Sequence, residues 1–219
     1  TDVNAVTATQ LAALSATQIG ALSTTAVAQL PATLLAALTP TQFAGLTATQ
    51  INAFSSDTIG NLTTTEIAQL SNVQVGGFSA TGIAGLNATQ IATLTAAQVA
   101  ALSGDGVSGL TATQMTELAS TQLSALSPTQ IGALSTAQIG NLNSAALAGL
   151  TTTQIVGLTS QQIAALTTTQ LDDVSTTLLG SLNVTQVKGL TTTQIASLED
   201  SQITELSSTA ISGLTATQL

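Results

Sequence analysis

Counting from Val3 in steps of eight residues meets Leu11, Ile19, Val27, Leu35, Phe43, Ile51 and so on to Leu219. All 28 positions of this comb are Ile, Val, Leu, Met or Phe. A second comb starts at Val6 and ends at Leu214; 23 of its 27 positions are Leu, and the others are Val6, Phe54, Phe78 and Val174. No insertion or deletion shifts the phase. An apolar period this short cannot be a collection of unrelated elements. It reads as one uninterrupted octapeptide-repeat array over residues 1–219, with no linker and no internal domain boundary.

The polar positions say what each octad does. The residue after each second-comb residue is Ser, Thr or Asn at 24 of 27 positions from Thr7 to Thr215; Pro31, Ala119 and Glu199 are the exceptions. Three residues later stands Gln or Glu, at 19 of 28 positions from Asp2 to Gln218. The consensus Leu-[Ser/Thr]-x-x-Gln-Ile-x-x-Leu reads as a helix start. The hydroxyl caps an orphan backbone N–H, the Gln reaches back to the cap N–H, and the Leu before the cap staples onto the Ile after the Gln. Pro40 and Pro128 fall at the first helical position, where a missing N–H costs nothing.

Because the next cap arrives eight residues later, each helix is expected to be six or seven residues, on the order of 10 Å long. Such a helix is unstable alone, because nucleation is costly. It needs its Ile and Leu packed on other octads, and the Ala, Gly and Ser between them allow close approach. The expected fold is all-α: a solenoid of very short capped helices, one per octad. A continuous helix fails, since an eight-residue stripe drifts about 80° per repeat. A β-solenoid is the alternative, supported by the Thr, Ile and Val content. It leaves the Gln unexplained and puts the Ile and Leu, three apart, on opposite strand faces. The number of octads per coil stays open. Octads without Gln or Glu are spaced by 24 at Leu34, Thr58, Gly82 and Gly106, which suggests three. They are spaced by 32 at Ala146, Leu178 and Ala210, which contradicts it, and two per coil is a further possibility.

Composition excludes several classes of function. The chain has one cation, Lys188, against ten carboxylates, and no Arg, His, Cys, Trp or Tyr. Nucleic-acid binding needs cations for phosphates and usually aromatic platforms, so no nucleic-acid partner is expected. A membrane-surface helix needs a basic face, and a transmembrane segment needs roughly 20 apolar residues in a row; neither is present. General acid–base work falls to carboxylates and Lys188 alone, so the sequence implies no enzyme, no catalytic residues and no cofactor. Lys188, in "LNVTQVKGL", reads as a surface cation.

Asp172–Asp173 and the group Glu199, Asp200 and Glu205 hold the oxygens a hard cation prefers, but in no calcium-loop spacing. "SGDGVSG" around Asp105 occurs once. Both read as solvated charge, and no metal site is expected. Thr-x-Thr pairs such as Thr47/Thr49 suggest ice binding only on the β-solenoid alternative. Asn61, Asn87 and Asn183 lie in glycosylation sequons, but Asn87 and Asn183 also occupy cap positions. The chain opens "TDVNAV" without an initiator Met, as a processed or excerpted segment would.

Runs such as "LTTTQIVGLTSQQIAALTTTQL", Leu150 to Leu171, resemble the Thr/Gln/Leu-rich octapeptide repeat tracts of large bacterial secreted and surface proteins. The resemblance implies an extracellular or cell-surface location, with possible attachment to the cell, and a structural or adhesive role. The octads at both ends are close to consensus, where solenoids normally carry polar caps. An open head-to-tail contact generates filaments. The expectation is therefore a structural protein that stacks on itself end to end through its terminal repeats, as a filament or matrix fibre. The alternative is a rigid stalk or binding-repeat region of a large surface adhesin.

Overall fold

A computed structural model describes residues 7–218; Val3, Val6 and Leu219, the outermost comb residues, lie outside the described residues. Among the described residues there are 26 helices, one per octad, from α1 (Ala8–Ala12) to α26 (Ser208–Ile211), and no strand. The helical solenoid is the fold, and the β-solenoid alternative is set aside. The chain forms two compact units, the first ending at Glu117 and the second beginning at Leu118.

Each octad folds as its polar residues dictate. In α6 (Ala48–Asn52), the Thr47 N–H donates to Gln50 Oε1 at 2.8 Å, and Thr47 Oγ1 accepts from the Gln50 N–H at 3.2 Å. The same capping box starts α5 (Pro40–Phe43) and α16 (Pro128–Ala133), each with its proline at the first helical position. Pro31 and Glu199 supply no side-chain cap. Ala119 keeps half of the box, its N–H donating to Gln122 Oε1.

The helices are four to six residues long, so that most are shorter than the expected six or seven. The chain leaves the α region at or just before the second-comb Leu. Leu70, for example, has φ −60 and ψ 131, and its N–H closes a short bond to the Ile67 carbonyl. No described residue has positive φ, so the turn between octads needs no glycine. It does leave the last carbonyls of every helix short of intrahelical donors, as any helix end must.

Within each unit, helices three octads apart lie side by side. In the first, α2 (Ala16–Gly20) packs on α5, α3 (Thr24–Ala28) on α6, α6 on α9 (Asn72–Val75), and so on to α11 (Ala88–Thr93) with α14 (Ala112–Glu117). In the second, the series runs from α15 (Ser120–Leu123) with α18 (Ser144–Ala148) to α23 (Val184–Val187) with α26. Both combs point into the coil. Ile59, Ile67, Ile83 and Ile131 are 0% exposed, and most second-comb Leu residues are buried beside them. Dispersion and burial across this stack supply what a five-residue helix cannot supply alone.

Some coil contacts are backbone against backbone. A Cβ on Gly45 would stand 2.3 Å from the Ala16 carbonyl oxygen, and one on Gly157 2.3 Å from that of Pro128. At these two crossings, where the end of one octad meets the start of the octad three before it, only glycine fits.

Candidate functional site

The recurrent chemical feature of the fold is the second half of the comb glutamine. Capping uses only Oε1, so the Nε2 of the same amide is free to point away from its own helix. Gln50 Nε2 donates to the carbonyl of Ile19 at 2.9 Å, which also takes the Leu22 N–H, and to that of Leu22 at 2.8 Å, which is left over at the end of α2. Gln42 does the same for Leu11 and Leu14, Gln98 for Ile67 and Leu70, and Gln114 for Ile83 and Leu86. In the second unit, Gln154 donates to Leu123 and Leu126, Gln162 to Ile131 and Leu134, and Gln194 to Ile163 and Leu166. Each glutamine thus fastens the start of its helix to the end of the helix four octads before it. One amide satisfies an orphan donor of its own coil and an orphan Leu carbonyl of the coil before, and adds a second bond to the first-comb carbonyl there.

This resolves the number of octads per coil. A helix lies beside the octad three before it, and its N-terminus meets the octad four before it. The coil therefore holds between three and four octads. Two per coil is excluded within each unit, and the 24- and 32-residue spacings in the sequence are the two neighbour relations of one winding.

The environment of the ladder is dry. Fifteen of the comb glutamines are buried, and no buried side-chain nitrogen or oxygen lacks a partner among the described residues. Gln10 and Gln18 differ. They keep the capping box but are exposed, because no described coil precedes them. Glu66 also keeps the box, with Oε2 accepting from the Thr63 N–H at 2.6 Å. A carboxylate has no hydrogen to give to the octad four before it. Where the comb lacks Gln, small groups often let the coils close up directly. The Phe78 carbonyl lies 3.3 Å from where a Cβ on Gly106 would stand. The comb's two glycines, Gly82 and Gly106, each follow a second-comb phenylalanine, Phe54 and Phe78, by 28 residues. That is the spacing from a ladder Gln to its Leu carbonyl.

The other residues singled out in the sequence are placed on the outside. Lys188 caps α23 and is exposed, at the edge of an open depression of about 440 Å³ that Ser160, Gln161 and Thr185 also line. Asp105, Asp172, Asp173, Glu199, Asp200 and Glu205 are exposed. The ladder bond from Gln202 to the Leu171 carbonyl brings the start of α25 (Asp200–Glu205) to the end of α21 (Thr168–Asp172). The two acidic groups thus sit on neighbouring coils. Even so, among the described residues no three carboxylates are gathered closely enough to hold a metal ion. Asn87 and Asn183 are caps, accepting from the N–H groups of Gln90 and Gln186. Asn61 instead donates to the Asp57 carbonyl at 2.8 Å. Thr47 is consumed as a cap, and Thr49 lies exposed on the first turn. No helix among the described residues is long and apolar enough to cross a membrane.

The ALTTAQ repeat family model matches residues 35–64, 115–152 and 136–168. Those stretches are a repeat tract, similar to that family. The phrase falls across the octad boundary, as in Ala133–Gln138, "ALSTAQ", and ends on the ladder glutamine. Comparison with curated proteins gives no match. The chain is a repeat protein built as an all-α solenoid of short helices.

Proposed function

We propose that this chain is a structural protein that forms an extracellular filament or matrix fibre by end-to-end stacking of its solenoid coils. The observation that carries the reading is the ladder itself. Coil joins coil through an amide and a pair of carbonyls supplied by every consensus octad, so one coil accepts the next by a rule with no built-in stop. An open head-to-tail contact of that kind propagates. The polar side chains that could carry chemistry are spent on capping or stand singly in solvent. The composition suits an exterior surface: the outward Thr, Ser and Asn are neutral, and the net charge of −9 favours solubility.

The same ladder would serve a spacer or stalk within a large bacterial surface adhesin. The match to a repeat-tract family favours that second reading. Electron microscopy of the purified 219-residue chain in dilute buffer separates the two. Long filaments of uniform width support self-stacking. Discrete particles of one size at every concentration overturn it and favour the stalk.

A further inference from the structure

The residue just before the comb-glutamine position is exposed in every octad from Thr9 to Thr217. It is Thr in 19 of those 27 octads and Ser in one. Helix formation does not ask for Thr there: it is β-branched and a poor helix former, and an exposed first turn favours a carboxylate. The need for a hydroxyl does not ask for it either. At the cap, where only the hydroxyl is used, Ser stands 10 times and Thr 11. The solvent-facing position takes the hydroxyl and the methyl together.

The winding sorts these residues into rows, because helices three octads apart lie side by side. In the first unit one row runs through α2, α5, α8 (Thr64–Gln69), α11 and α14, and it carries Thr17, Thr41, Thr65, Thr89 and Thr113 without a break. The other two rows of that unit are interrupted, one by Asp57 and Asp105 and the other by Val73 and Ala97. None of the five hydroxyls bonds to another group among the described residues. Of the carboxylates on these helices, Glu66 is turned to the Thr63 cap, and Glu117 stands at the far end of α14. Side-by-side helices set the threonines at one repeated interval of about 8–10 Å. Ladder bonds from Gln42, Gln90 and Gln114 hold three of the five helices to the coils before them.

We propose that this row of threonines binds ice. An exposed methyl orders the liquid water around it at an entropic cost. Crystalline water is already ordered, so a methyl seated in a hollow of the lattice avoids that cost. The hydroxyl beside it both donates and accepts, as a lattice water does. Five such groups on coils held by buried amides meet the crystal with little conformational freedom left to lose. An uncharged row matters as well, because an ammonium or carboxylate gives up its own hydration only at high cost. The array needs no β-solenoid: in the helical coil the first Thr of a pair such as Thr63/Thr65 is the cap, and the second faces solvent. Nothing in it depends on end-to-end stacking.

The test is inhibition of ice recrystallisation by the full 219-residue chain, with albumin at equal mass as the reference. The parent should arrest the coarsening of ice grains at concentrations where albumin does not. The double variant Thr65→Lys, Thr89→Lys puts two hydrated cations in the row, and Thr65→Ser, Thr89→Ser removes only the methyls. Both sites are exposed, so circular dichroism should match the parent's. Each double variant should raise the concentration needed by about tenfold or more. Thr25→Lys, Thr49→Lys makes the same charge change in the row that Val73 and Ala97 interrupt, and should leave the activity unchanged. Ice grains that coarsen with the parent as they do with albumin would overturn the proposal. Lysine variants of Thr65 and Thr89 as active as the parent would place the ice on another surface and overturn it too. Serine variants as active as the parent would remove the role of the methyl on which it rests.

Discussion

Replacing Gln by Glu at Gln50 and at Gln18 makes one chemical change in two settings that differ only in the neighbouring coil. Both residues stand at the same octad position, and both take the cap N–H on Oε1 at 2.8 Å. A carboxylate performs that half of the task well, and negative charge in the first helical turn contributes a favourable ~0.3–1 kcal/mol at an exposed site. At Gln18, which is exposed and touches no earlier coil among the described residues, Gln18→Glu should therefore be neutral or slightly stabilising. At Gln50, 1% exposed, the change removes the donor to Ile19 and Leu22 and turns a charged oxygen toward two carbonyls. The Ile19 carbonyl keeps its bond from the Leu22 N–H, but leaving the buried Leu22 acceptor unpaired costs about 1–3 kcal/mol, and more when a charge is involved. A net loss of about 2–3 kcal/mol is expected for Gln50→Glu. A solenoid does not unfold as a single two-state system, so native-state hydrogen exchange of the backbone amides in the two octads is the suitable assay. If Gln50→Glu and Gln18→Glu change local protection in the same direction, within about 0.5 kcal/mol of each other, the ladder is refuted.

Glu66 provides the reverse experiment: Glu66→Gln supplies the missing donor to the octad four before it and should stabilise the first unit by about 1 kcal/mol, measured by the same exchange. In the second unit, Gly157→Ala should be strongly destabilising, because its Cβ would stand 2.3 Å from the Pro128 oxygen. Gly149→Ala, whose Cβ would meet only the Ala145 oxygen at 3.3 Å and the Ala146 oxygen at 3.5 Å, should be tolerated, so their melting temperatures should differ by several degrees. Thr47→Ala removes the oxygen that accepts the Gln50 N–H and should cost about 1 kcal/mol, while Pro31→Ala, at a cap that makes no side-chain bond, should cost far less by denaturant titration.

Much of this fold was legible in the residues, because a capping box is a local device. Thr47, Gln50 and the Leu before them specify a helix start whatever lies beyond, and Pro40 confirms its register. The early exit of the chain was not legible. It depends on Leu70 and its equivalents turning at ψ near 131 to face the core, which is a packing outcome. Nor was the coil size, since the 24- and 32-residue spacings looked like rival periods until α5 was seen beside α2 while Gln42 bonded to the end of α1.

The ladder left one trace that could have been read. Of the 19 Gln or Glu residues in the comb, 18 are Gln, and Glu66 alone is acidic. For capping a helix N-terminus a carboxylate is at least as good as an amide. A position that nearly always takes the amide is using its N–H₂ as well. The acidic groups show the converse. Asp172–Asp173 and Glu199–Asp200 are far apart in sequence, and it is the winding, with its four-octad bond from Gln202 to Leu171, that places their coils in contact.

The most direct test of the ladder is side-chain amide exchange, followed by NMR on chain labelled at Gln Nε2. Gln29, Gln69 and Gln161, off the comb and open to solvent, serve as the reference. The structure predicts slow exchange for Gln42, Gln50, Gln74, Gln98, Gln154 and Gln194, and reference-like exchange for Gln10 and Gln18. Gln50 and Gln154 exchanging as fast as Gln18 and Gln161 would mean that no amide joins the coils, and the account of how the octads stack would be wrong.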